Sequence, residues 1–300
     1  MRYATFRDLR NPDWERYGLV LDDGRVVPLA PLLAERMAFP PATLLEYIGI
    51  HTPDLRAWLA HRIDATDFEF LLLGDVHLLA PIPWPRRDVI CLGKNYRDHA
   101  DEIAALAAGT RAPSDQPVFF AKSACPAIGP GAPIDAHAGV TACLDYEVEL
   151  AVVIGRDAYR IPEDQVADHL FGYTILNDVS ARDVQTAHGQ WFLGKSLDSF
   201  CPMGPWIVDR DDLPYPPALA IRCLVNGDVR QSSNTSRLLF PISRVVSQLS
   251  QGLRLRPGDI VATGTPGGVG WGHVPPKFLS PGDRVVCEIE GIGALENPVV

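Results

Sequence analysis

Residues 144–150 read L-D-Y-E-V-E-L, with a carboxylate at every second position of an otherwise apolar segment. Side chains alternate across a β-strand, so Tyr146, Val148, Leu150, Val152 and Ile154 form one face and Asp145, Glu147, Glu149, Ala151 and Val153 the other. Glu147 and Glu149 then stand about 6.5–7 Å apart with like charge, and either water or a cation must relieve them. A solvated strand face is the ordinary explanation of an E-x-E pair. Here the downstream A-V-V-I is apolar on both faces, the pattern of a strand covered on both sides. Buried carboxylates need a partner, and one dication satisfies several. Asp178, at the end of the strand-like G-Y-T-I-L-N-D, adds a third donor. Three hard oxygen ligands without Cys or His suit Mg²⁺ or Mn²⁺, with waters completing an octahedron, rather than zinc.

Three carboxylates and one dication leave a charge of -1, so a cation is expected nearby. Lys195, in F-L-G-K-S-L-D-S-F, and Arg182 are the candidates. A lysine among apolar residues either snorkels to the surface or is functional. The strand through Asn177 is predicted to turn into a helix near Asn177 or Asp178, which would put Asp178, Arg182 and Gln185 on one helical face. A second short helix is expected in R-D-H-A-D-E-I-A-A-L-A-A, with Ile103 and Leu106 on its packing side and His99 and Glu102 sharing a face. A carboxylate beside an imidazole holds one tautomer and frees the other nitrogen to act as a base, although H-x-x-E is also a common surface contact. G-Q-W-F-L-G-K-S matches the phosphate-loop pattern G-x-x-x-x-G-K-[ST] literally. It is rejected, because bulky Gln190, Trp191, Phe192 and Leu193 fill the loop, no apolar strand precedes it and Pro202 curtails any following helix. G-T-P-G-G-V-G-W-G (264–272) is open to two readings, a glycine loop that lets backbone approach a small anion and a tight turn between strands.

These residues need a scaffold, and a chain of 300 residues with 47% hydrophobic content can bury a sizeable core. Y-G-L-V-L-D-D-G-R-V-V-P-L reads as a β-hairpin, and P-P-A-T-L-L-E-Y-I-G-I and P-D-L-R-A-W-L-A-H-R-I as helices. The three prolines of P-I-P-W-P-R-R mark a boundary, giving a small α/β N-terminal domain (1–80) and a larger, strand-dominated domain (81–300). Turns are expected at Asn226-Gly227, Pro257-Gly258-Asp259 and Pro281-Gly282-Asp283. With 27 basic and 37 acidic residues the charge of -10 has the wrong sign for a sequence-independent nucleic-acid binder. No apolar run approaches the ~20 residues of a membrane span, and no secretory signal is visible. Six scattered cysteines, Cys125 among them, read as small buried hydrophobes rather than a zinc cage or disulfide framework, as expected for a cytoplasmic protein.

In combination, G-K-N-Y-R-D-H-A-D-E, D-Y-E-V-E-L-A-V-V-I-G, G-Y-T-I-L-N-D-V-S-A-R-D-V-Q, G-K-S-L-D-S-F, V-N-G-D-V-R-Q-S-S-N-T-S and T-G-T-P-G-G-V-G resemble the fumarylacetoacetate hydrolase family over roughly residues 85–300. The resemblance implies a mainly β protein, a mixed β-sandwich roll carrying some α structure, usually homodimeric. It implies an Mg²⁺ or Mn²⁺ site held by Glu147, Glu149 and Asp178. Tyr96, Arg182, Gln185, Lys195, Gly264 and Thr265 would fall at the substrate, and His99 with Glu102 on a mobile lid that activates water. Lys94 and Asn95 precede Tyr96 where some relatives offer another acidic ligand, so three carboxylates plus water are expected. The implied activity is hydrolysis of a C–C bond in an acylpyruvate or fumarylpyruvate-like 2,4-dioxo acid through a metal-stabilised enolate. The same enolate chemistry admits 2-hydroxyhepta-2,4-diene-1,7-dioate isomerase, 5-oxopent-3-ene-1,2,5-tricarboxylate decarboxylase or oxaloacetate decarboxylase activity. Two other readings stay open, Schiff-base chemistry at Lys195 without a metal and a non-catalytic oligomer with a structural cation site.

Overall fold

The computed structural model describes every residue except 66, 107–114 and 125; the side chains of 103–106 also lie outside the description. The expectations for Cys125, and for Ile103 and Leu106 as packing residues, therefore lie outside the described residues. The fold is mainly β. Among the described residues one sheet of 11 strands runs from Leu71–Leu72 through the N-terminal hairpin (Arg25–Pro28 and Asn11–Val20), Arg2–Asp8, Met203–Asp209, Leu170–Asn177, Val148–Ile154, Ile260–Ala262 and Val89–Gly93 to Val118–Lys122, with Val76–Leu78 also paired to Arg2–Asp8. A second, four-stranded sheet holds Asp228–Asn234, Ala220–Val225, Arg284–Ile289 and Gly293–Pro298. Strand Arg2–Asp8 pairs antiparallel with Met203–Asp209, so the N-terminal strands continue the sheet that carries the acidic residues.

Strand Val148–Ile154 is buried along its whole length. Val148, Leu150, Val152 and Ile154 pack toward the small sheet, against residues such as Ile221, Cys223, Val285 and Leu295. Ala151 and Val153 belong to the opposite core, which is closed by the helices Leu44–Ile50 and Pro53–Asp64 through Leu44, Tyr47, Leu55 and Leu59. Neither face of this strand meets water, which accounts for its apolar run. Turns fall where they were expected: Asn226 and Gly227 (φ 54° and 86°) join the two strands of a hairpin, as a turn with two left-handed residues demands. Among the described residues no helix is long and apolar enough to cross a membrane.

The helix predicted from Asp178 begins later. Asp178 leaves strand Leu170–Asn177, Ser180–Ala181 then pairs with Leu144–Asp145, and the helix spans Arg182–Ala187. The fully buried Val179-Ser180-Ala181 is held extended by this ladder, which outweighs helical periodicity. Asp178 and Arg182 thus do not share a helical face, whereas Arg182 and Gln185 do, with Arg182 Nη1 donating to Gln185 Oε1 at 3.2 Å.

Candidate active site and metal centre

Two chain segments lock together at the start of the carboxylate strand. Glu147 N donates to Asn177 Oδ1 (3.0 Å), and Asp178 N donates to the Glu147 carbonyl (2.9 Å). Glu147, Glu149 and Asp178 are thereby buried together, each offering an oxygen within 4.8 Å of the others. Three buried cations answer them. Lys195 Nζ donates to Glu147 Oε2 and to Asp178 Oδ2, both at 2.7 Å. Lys122 Nζ lies 2.8 Å from Asp178 Oδ1 and donates to the carbonyls of Val179 and Lys195. Arg182 Nη2 lies 2.7 Å from Glu147 Oε1, and its Nε donates to Asp145 Oδ2 at 2.9 Å. Asp145 also accepts from the backbone N–H of Gly270 and of Trp271, which ties the glycine loop to the same centre.

Burial drives the Glu147 carboxyl upward, but Lys195, then Arg182 and His99, outweigh it and hold it well below the usual carboxylate range. Glu149 goes the other way: burial, then the Asp178 and Glu147 charges, push it well up, and its one countering hydrogen bond comes from Gly264 N at 2.7 Å. Burial pulls Lys195 down, yet Asp178 and Glu147 raise it overall, so it stays an ammonium. Among the described residues Glu149 is therefore a buried carboxylate with no cation in contact beside two further carboxylates, a costly arrangement that a divalent ion would relieve. Oxygens around an octahedral ion at 2.0–2.1 Å stand about 3–4 Å apart, so the triad fits such an ion with small adjustment. Counting Asp145, Glu147, Glu149 and Asp178 against Lys122, Arg182 and Lys195 leaves -1, which a dication turns to +1. A centre so loaded would attract an anion.

His99, Glu147, Arg182, Gln185, Lys195 and Thr265 line one cavity of about 230 Å³. His99, in helix Arg97–Leu106, is almost wholly buried, and its Nδ1 lies 3.4 Å from Glu102 Oε2. Glu102 is held in turn by Gly268 N, at 3.2 and 3.3 Å from its two oxygens. The glycine loop thus holds Glu102 and Asp145 through its backbone.

The family model described as fumarylacetoacetate (FAA) hydrolase C-terminal matches residues 88–300, which contain this whole centre. The chain belongs to the fumarylacetoacetate hydrolase family. It is 43% identical over 292 residues, 94% of this chain and 95% of the relative, to the oxaloacetate tautomerase YisK of Bacillus subtilis. A solved fumarylacetoacetate hydrolase from Exiguobacterium antarcticum superposes with a TM-score of 0.83 at 38% identity, covering 100% of this chain and 99% of that one. A maleylpyruvate hydrolase from Sphingobium sp. SYK-6, in complex with manganese(II) and pyruvate, superposes with a TM-score of 0.76 at 30% identity, with coverage of 100% and 99%.

As a member of this family of enzymes, the chain gathers most of the residues singled out from its sequence. Of the residues expected at the substrate, Tyr96 and Gly264 sit apart from the cavity wall. Tyr96 is fully buried, its hydroxyl without a hydrogen-bond partner among the described residues, and it bridges to Leu238. Gly264, at φ 98°, holds Glu149 through its N–H and has no room for a Cβ beside Asn95. Thr265 does line the cavity, while its hydroxyl donates to the Val148 carbonyl (2.9 Å) and accepts from Gln231 (2.7 Å). Sequence reasoning missed Lys122 and gave Asp145 no role. The signal for Lys122 was a lysine closing the apolar strand V-F-F-A-K, and that for Asp145 was its place in the same alternation as Glu147.

Proposed function

We propose that the chain is an Mg²⁺- or Mn²⁺-dependent enzyme of 2-oxo acids that moves a proton at the carbon beside the oxo group, with keto–enol tautomerisation of oxaloacetate as its first activity. The observation that carries the reading is that a carboxylate-held imidazole, His99, opens on the same cavity as Arg182, Lys195 and Glu147, the member of the acidic triad that lines it. Glu147, Glu149 and Asp178 would hold the ion, which when bound draws electron density from the carboxylate and oxo oxygens of the substrate.

Arg182 and Gln185 hold the substrate carboxylate: Gln185 Oε1 already accepts from Arg182, so its amide NH₂ is left as a donor. Glu102 accepts from His99 Nδ1 and leaves Nε2 to take the proton at C3; the 3.4 Å contact is of the length seen before substrate tightens such pairs. Lys195 Nζ, fixed by two carboxylates, has a third N–H with which to deliver a proton to the oxo oxygen as the enol forms. Phe120, Trp191 and Trp271 supply apolar walls that keep bulk water from the enol. The two carboxylates on Lys195 also withhold the lone pair a Schiff base needs, which disfavours the metal-free alternative.

Tautomerisation stands first because it needs only these groups and because the relative that is 43% identical over nearly its full length carries that name. Hydrolytic cleavage of an acylpyruvate or fumarylpyruvate-like acid is the second reading, favoured by the likeness to a maleylpyruvate hydrolase. In it His99 takes its proton from a water that attacks the distal carbonyl. A homodimer is proposed as the working form. The purified protein should be assayed on enol-oxaloacetate, acetylpyruvate, fumarylpyruvate and the seven-carbon dioate, with Mg²⁺, Mn²⁺ or chelator. Enol decay accelerated with metal and lost with chelator is expected. Turnover that survives chelation and traps a borohydride adduct, or no turnover of any of the four, would sink the proposal.

A further inference from the structure

Lys94 is a cation on the cavity wall that the proposed chemistry leaves unused. Lys195 and Arg182, on the same wall, are each paired with two carboxylates, and among the described residues Lys94 has none. It is half-buried, directly after strand Val89–Gly93, with its backbone in the left-handed region (φ 57°). That conformation is costly for a residue with a Cβ and would be relieved by glycine. The next residue fixes it: Asn95 is wholly buried, its Nδ2 donates to the Thr263 and Phe240 carbonyls, and its Oδ1 accepts from Phe240 N. The base of the lysine is therefore clamped while its ammonium has no counter-charge among the described residues.

We infer that Lys94 is a specificity-determining residue that pairs with a second carboxylate of the substrate, so that the site prefers 2-oxo dicarboxylates to 2-oxo monocarboxylates. This rests on the 2-oxo acid reading of the same site. The carboxylate and oxo group at one end of the substrate are taken by the acidic centre with Arg182 and Gln185. A second carboxylate entering a partly desolvated cavity needs a cation there, and among the described residues of the wall Lys94 is the lysine or arginine whose charge is not already neutralised. An ammonium on a flexible stem can follow chains of slightly different length, whereas its charge still rejects an apolar tail.

The test compares binding of oxaloacetate and pyruvate, which differ by one carboxylate, to Mg²⁺-loaded wild type, Lys94→Met and Lys94→Arg by calorimetry, with turnover followed in parallel. Methionine keeps most of the stem and removes the charge. The preference of wild type for oxaloacetate over pyruvate should shrink by roughly tenfold in Lys94→Met and return in Lys94→Arg, with pyruvate affinity unchanged throughout. Equal weakening of both ligands, no change in either, or a wild type without a preference for oxaloacetate each overturns the assignment. A Lys94-dependent preference in a protein that turns over neither ligand refutes the proposed activity and leaves the role of Lys94 standing. Turnover that is indifferent to Lys94 does the reverse.

Discussion

Replacing Gly272 by alanine should disable the enzyme without touching a residue that meets substrate. A Cβ at position 272 would lie 1.7 Å from Glu102 Oε1 and 2.1 Å from its Cδ. To regain the 3.4 Å of ordinary contact the carboxylate must retreat by about 1.7 Å, and Glu102 Oε2 already stands at 3.4 Å from His99 Nδ1. No such retreat preserves both that contact and the bonds from Gly268 N. The side chain can swing, because it is the far end of a partly exposed glutamate, so the fold should lose only about 1 kcal/mol, the worth of an ordinary hydrogen bond. Displacement of a base-orienting group by more than 1 Å costs about ten- to a hundredfold in rate. Steady-state kinetics should show kcat for Gly272→Ala down by that factor with Mn²⁺ affinity intact. Glu102→Ala should lose about as much, and the double variant little more than either single one, since both remove the same support. A Gly272→Ala enzyme with kcat within about twofold of wild type would refute the role given to Glu102.

Further outcomes follow from the same geometry. At a hundred times its dissociation constant Mn²⁺ should stabilise the protein by about 2.7 kcal/mol, roughly 5 °C in Tm for a chain of this size, and Glu149→Gln should lose most of that increment; an undiminished increment in differential scanning fluorimetry would remove Glu149 from the metal site. Glu147→Ala is expected to abolish turnover in a protein that still shows its cooperative melt, whereas loss of Tm and dimer with no activity in wild type would favour a structural cation site. His99→Ala should reduce turnover by about a hundredfold or more, and an unchanged rate would remove the imidazole from the reaction. Lys122→Met leaves the buried charge of Asp178 short of a partner and should cost about 3 kcal/mol in chemical denaturation; a neutral effect would show that Lys195 alone compensates it. Burial holds His51 below its ordinary value of 6.5, against the pull of Asp209. A histidine depressed in the fold contributes stability above its unfolded value that is lost as pH falls through 6.5. Tm should therefore decline from pH 7.5 to 5, less steeply in His51→Phe, and equal slopes would count against it.

What the sequence by itself determined was the chemistry available. The alternation around Glu147 and Glu149, the apolar run beyond them and the lack of His or Cys beside them describe a buried set of hard oxygen donors that would suit a dication. Strand periodicity and the Asn-Gly and Pro-Gly-Asp turns are local properties, so they could be read without knowing what packs where. The six family-like segments added which distant residues belong together. Only the tertiary structure decided how they meet. The ladder between Leu170–Asn177 and Val148–Ile154, continued by that between Ser180–Ala181 and Leu144–Asp145, rather than a helical face, carries Asp178 to Glu147. Lys122, from an edge strand, closes on Asp178 from 56 positions away, and no local pattern encodes that pairing. The glycine loop proved to serve through its N–H groups, holding Glu149, Glu102 and Asp145, and a backbone donor has no residue-type signature. Charge compensation in a dry interior depends on distances of 3 Å between segments far apart in the chain, and it is the packing of the two sheets and their helices that sets those distances.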